Sequence, residues 1–71
     1  MGKFSIDKFR DERLKQRWTL GGLARELRKK GHLKASPNLV WLWERGQQPT
    51  FRYLSSVCEI LGKGMNYFNE K

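Results

Sequence analysis

SPNLVWLWERGQQP, residues 36–49, is the stretch whose reading decides how this chain folds. It opens with a Ser that can accept a backbone N–H and a Pro at the first helical position, where the missing donor does no harm. Gly46 and Pro49 close it, as they would a short helix. Five apolar residues run together from Leu39 to Trp43. At roughly 100° per residue, Ser36, Val40, Trp43 and the flank of Leu39 share one side, and Asn38, Trp41, Leu42 and Arg45 the other. The first side reads as core. The second leaves Trp41 and Leu42 either meeting another element or lying on the surface.

The flanking sequence supplies partners for Val40 and Trp43. Residues 5–17 have a helical pattern in which Ile6, Phe9, Arg13 and Leu14 share a face, with Asp7 in the first turn. Trp18 ends that segment. Thr19 is the expected N-cap of a second helix, Leu20 to about Lys30, whose inward stripe is Leu23, Ala24 and Leu27. Gly21 and Gly22 fall in its first turn, where the backbone can come close to a neighbour. RKKGHLKA, residues 28–35, is a basic connection. Beyond the central helix and a QQP turn, Thr50 caps a fourth helix from Phe51 to Leu61. It carries Phe51, Leu54, Val57, Cys58 and Leu61 inward and ends at Gly62. Met65 and Phe68 fit a short fifth helix that closes the core. The expected fold class is all-α: a single domain over residues 1–71, a compact bundle of four to five short helices with no strand.

Three Trp, four Phe and two Tyr are enough to build a core, although a chain this short buries only about 60% of its unfolded surface. Fifteen Lys and Arg against seven Asp and Glu leave a formal charge of +8. That favours a polyanionic partner, nucleic acid first and an acidic membrane surface next. The cations are scattered over several elements and not along one amphipathic helix, which argues against the membrane. No apolar run approaches the ~20 residues of a membrane span, and the first residues form no signal-peptide core. Cys58 is the lone cysteine, so no internal disulfide can form, and the expected location is cytoplasmic. Cys58 lies on an inward stripe and reads as packing, and His32, in the basic connection, as a surface residue. Together they have no metal-ligand spacing, so no metal is expected. No carboxylate pair, nucleophile with base or Gly-rich phosphate loop has a catalytic setting. Neither enzymatic activity nor a cofactor or small-molecule ligand is expected.

V-W-L-W-E-R-G-Q-Q-P-T-F, residues 40–51, combines an apolar pair three apart, a Glu, a polar residue, Gly, a short polar turn, Pro and a capped helix. T-L-G-G-L-A-R-E-L stands upstream at residues 19–27, and L-S-S-V-C-E-I-L-G downstream at residues 54–62, followed by Met65 and Phe68. In this order the pieces resemble the helix-turn-helix domains of the Cro and phage-repressor type, the lambda-repressor-like family, over roughly residues 6–68. The resemblance implies sequence-specific binding of double-stranded DNA by a small transcriptional regulator. Residues 19–27 would brace the backbone, and a recognition helix at about residues 36–45 would enter the major groove. It also implies an ion pair between Arg13 and Glu44. The family's base-reading positions fall on Pro37, Asn38, Trp41 and Leu42. Asn38 alone among these has the paired donor and acceptor that reads adenine, while Trp41 and Leu42 could pack on thymine methyls.

Phosphate contacts would come from Thr19 and the N–H groups beside it, from Arg28, Lys29, Lys30 and Lys34, and from Ser36, Arg45, Gln47, Gln48 and Arg52. About six neutralised phosphates would give a log–log salt slope near −5. Family members commonly pair on two-fold-symmetric operators, so a homodimer is among the implied partners. The connection between the two motif helices is longer than is usual, as in the POU-specific domains. It could extend the second helix or form a loop beside the phosphates. A rival reading is a protein–protein interaction module on the same fold, using Trp41 and Leu42 as an exposed apolar patch.

Overall fold

In the computed structural model, which describes residues 4–64 and 66–69, a hydroxyl N-cap starts each of four helices. Ser5 accepts from Lys8 N to open α1 (Ile6–Lys15), and Thr19 from Gly22 N to open α2 (Leu20–Lys29). Ser36 accepts from Leu39 N at the head of α3 (Pro37–Glu44), with Pro37 at its first position. Thr50 accepts from Tyr53 N to open α4 (Phe51–Leu61). Each such cap contributes about 1 kcal/mol. Past α3 and α4 the chain turns at Gly46, φ 119°, and Gly62, φ 73°. Side chains avoid this left-handed region, so glycine stands at both ends. No strand forms among the described residues, although Phe4 and Asn69 make an isolated antiparallel bridge.

One apolar stripe from each helix meets in a single core. Phe9 comes from α1, Leu23, Ala24 and Leu27 from α2, Val40 and Trp43 from α3, and Val57, Cys58 and Leu61 from α4; all are buried. A line of aromatic rings runs through it. Phe68 lies 6.0 Å from Phe9, Phe9 6.2 Å from Trp43, and Trp43 5.3 Å from Tyr53. Edge-to-face pairs of this kind add about 0.5–1.5 kcal/mol beyond the area they bury. α3 is therefore clamped on its Val40–Trp43 side by α1, α2 and α4.

Four expectations need correction. Leu14 is 53% exposed and does not share the inward face of α1. Five residues after Phe9, it stands roughly 140° round the helix from it. Phe51 is 75% exposed: the first turn of α4 stands clear of the core that Leu54 and Val57 enter. No fifth helix forms among the described residues. Residues 66–68 are turns, and the backbone then extends so that Ser5 N donates to Phe68 O beside the Phe4–Asn69 bridge. Phe68 still closes the core, fully buried; Met65 lies outside the described residues. His32 is not a free surface residue. Its ring stacks on Tyr53 at 4.5 Å, and its Nε2 lies 2.7 Å from Ser56 Oγ.

α1 is tied to the end of α4 through a buried carboxylate. Gln16 Nε2 donates to Glu12 Oε2 at 2.7 Å and to Leu61 O at 2.8 Å. Tyr67 OH donates to Glu12 Oε1 at 3.4 Å, and Lys63 Nζ lies 3.7 Å away. The Gln16 hydrogen bond is the main cause that holds the Glu12 carboxyl below its ordinary value of 4.5; burial opposes it, and the charges of Lys63 and Lys15 assist. A depressed carboxyl stabilises the fold above its unfolded value and ceases to do so as pH falls through the folded one. Urea midpoints should therefore decline between about pH 5 and pH 3, and Glu12→Gln should flatten that decline. An equally steep decline in Glu12→Gln would contradict the assignment.

Candidate nucleic-acid interface

α3 carries one acid, Glu44, and its direction decides what the outer face of the helix can bind. Arg13 Nε donates to Glu44 Oε2 at 2.5 Å and Nη2 to Oε1 at 3.1 Å, a two-pronged pair. The two side chains are 10% and 11% exposed. The third guanidinium nitrogen, Nη1, donates to Trp18 O at 2.7 Å. Arg17, at φ 63°, takes the left-handed conformation in the turn that delivers that carbonyl, at a cost of about 1 kcal/mol. Glu44 is thus drawn inward onto α1, and its charge is met there.

With Glu44 removed, the outer side of α3 carries no carboxylate. Pro37, Asn38 and Arg45 are exposed, Trp41 is 43% exposed, and Leu42 is half-buried. Of the two apolar residues that the helical wheel left without a place, Trp41 lies on the surface. Arg45 Cζ sits over its ring, 4.9 Å from the centroid, an arrangement worth about 0.5–1 kcal/mol at an exposed site. The first turns of α2 and α3 lie side by side, since a methyl added at Gly21 would stand 3.8 Å from Pro37 Cγ. Gly22 has a different reason: a Cβ there would come within 2.9 Å of the capping Thr19 Oγ1. The first turns of α2, α3 and α4 contain no acid, whereas α1 has Asp7 in its own. Three positive helix ends are therefore left without an internal counter-charge.

The other residues singled out from the sequence divide into two groups. Lys34, Gln47 and Arg52 are exposed, with no side-chain partner among the described residues. Lys29 pairs with Glu26 at 3.1 Å, Lys30 with Glu59 of α4 at 3.0 Å, and Arg28 Nη1 donates to Ala35 O at 2.8 Å. Gln48 Oε1 accepts from Phe4 N at 3.0 Å, which ties the turn after α3 to the start of the chain. Thr19 and Ser36 are occupied as caps on their oxygen lone pairs, and their hydroxyl hydrogens stay available. The connection does not lengthen α2 by a full turn. It folds onto α4 through Lys30 and His32. The i, i+4 spacing of Trp41 and Arg45 is the sequence signal for their contact, which charge and periodicity alone do not single out.

No family model, curated protein or solved structure matches this chain.

The Arg13–Glu44 pair makes a thermodynamic statement. Arg13→Met or Glu44→Leu alone strands a buried charge and should cost about 3 kcal/mol in urea unfolding. The double variant should lie closer to the original chain than either single one. Purely additive losses would show that the two groups are not coupled.

Proposed function

We propose that this chain is a sequence-specific double-stranded DNA-binding module of the helix-turn-helix type, similar to the Cro and phage-repressor regulators. α3 enters the major groove, and the first turn of α2 braces against the phosphates. The observation that carries this reading is the outer stripe of α3: Asn38, Trp41 and Arg45 are exposed together while Glu44 is turned inward. Support comes from the +8 charge and from the acid-free first turns of α2, α3 and α4. Such ends favour phosphate. Asn38 reads adenine through its amide, and Lys34 and Arg52 supply phosphate contacts. A small cytoplasmic regulator, pairing as a homodimer on a two-fold-symmetric operator, is the role that fits.

Lys29 and Lys30, each held by a glutamate, count less towards the phosphate grip than free lysines. About four neutralised phosphates then give a log–log salt slope between about −3 and −4. Tryptophan fluorescence titrated with random duplex across salt concentrations measures this slope, because Trp41 is exposed. Lys34→Ala should weaken specific and random duplex alike and flatten the slope by about 1. Asn38→Ala should mainly lower the ratio of specific to random binding, by about five- to tenfold. Equal effects of the two substitutions on both kinds of duplex would defeat the base-reading assignment.

The exposure of Trp41 also suits a protein partner that takes this face as an anchor. Against that reading, Leu42 is half-buried and a guanidinium lies on the Trp41 ring, so the apolar patch is small. A fluorescence response that is absent at low salt would favour the protein partner.

A further inference from the structure

We infer that Arg45 is a base-reading residue, specific for guanine, and that Trp41 is the positioning residue that holds it over the outer stripe of α3. The inference rests on the duplex-binding reading and deepens it. Arg45 is the C-cap of α3 and keeps a helical backbone there, φ −98° and ψ 0°. Its Cζ lies over the ring of Trp41, one turn nearer the N-terminus. The side chain therefore runs back along the helix, the direction in which helical Cα–Cβ bonds tilt. Its charge ends beside Trp41 on the outward face and not beyond the end of the helix.

Two further observations leave this guanidinium free for a ligand. The neighbouring acid, Glu44, is committed to Arg13. No carboxylate or carbonyl among the described residues accepts a hydrogen bond from the Arg45 side chain, so its N–H donors are unspent. Contact with the ring restricts a flexible side chain in advance, which lowers the entropy lost on binding. A planar fork of donors is what the O6 and N7 acceptors of guanine match in the major groove, and a lysine ammonium lacks that planar fork.

The register follows from the same stripe. Asn38 and Trp41 are three residues apart, roughly 4.5 Å along the helix axis. With Arg45 folded back over Trp41, the adenine reader and the guanine reader address bases within about two base pairs of each other, at about 3.4 Å per step. The contact that sequence alone assigns to a phosphate becomes one that carries information.

Selection of bound duplexes from a random pool, run with the full chain and with Arg45→Lys, Trp41→Phe and Trp41→Ala, tests this. The original chain should enrich an adenine and a guanine within about two base pairs. Arg45→Lys keeps the charge, so binding to random duplex should change less than about twofold. Its preference for guanine at that position should fall about tenfold or more while the adenine preference stays. Trp41→Ala should weaken the guanine preference, and Trp41→Phe should restore part of it. Both side chains lie on the surface, so unfolding midpoints should shift only slightly and by no more than loss of the ring contact accounts for, which separates loss of reading from loss of fold. An enriched site without guanine, or a guanine preference that survives Arg45→Lys, overturns the inference and leaves duplex binding standing. No duplex bound at low salt overturns duplex binding as well.

Discussion

The two-pronged contact between Arg13 and Glu44 is the interaction on which the rest of this small structure depends. It ties α1 to the last turn of α3 from the inside, and through Trp18 O it also fixes the turn into α2. Burial of two charges is favourable only when the geometry is good and the remaining donors are met. Both conditions hold, since Nη1 finds the Trp18 carbonyl and, among the described residues, no buried side-chain nitrogen or oxygen lacks a partner. The consequence reaches the surface. An acid that would have repelled phosphate from α3 is withdrawn, and the helix is left with a polar, aromatic and cationic outer stripe.

The connection between α2 and α3 belongs to a second layer of the same organisation. It turns away from α2 through Gly31, at φ 104°, and lays His32 against Tyr53 and Ser56 of α4. Lys30 follows it there, onto Glu59. The end of the connection is held to α2 by Arg28 through the carbonyl of Ala35, the residue before the Ser36 cap. Two of the four cations in residues 28–34, Arg28 and Lys30, therefore serve to place the head of α3. Lys29, paired with Glu26 within α2, and Lys34, exposed two residues before the cap, are the exceptions.

Much of this was legible in the sequence because it is local. Thr19, Ser36 and Thr50 announce the starts of their helices, Gly46 and Gly62 their ends, and the sorting of α3 into a Val40–Trp43 side and an Asn38–Trp41 side follows from its period alone. What was not legible depends on neighbours far along the chain. Leu14 and Phe51 are apolar and near an inward stripe, yet no described residue covers them enough to bury them. Lys30 could not be told from Lys34 without Glu59, 29 residues away. Met65 and Phe68 have helical spacing, so the sequence there reads as helix. The bridge of Asn69 to Phe4, which draws that backbone out, joins segments 65 residues apart in the chain.

On the proposed reading, a DNA duplex occupies the outer stripe of α3. The three tryptophans make its position directly measurable: Trp41 is on that stripe, Trp43 is buried behind it, and Trp18 lies half-buried beside the first turn of α2. Following the three indole N–H signals by NMR while mixed-sequence duplex is added at low salt reads the face that is covered. The Trp41 signal should shift or broaden most and recover as salt is raised, with Trp43 nearly unmoved. A Trp41 signal that stays in place while duplex binds elsewhere on the molecule would rule this placement out.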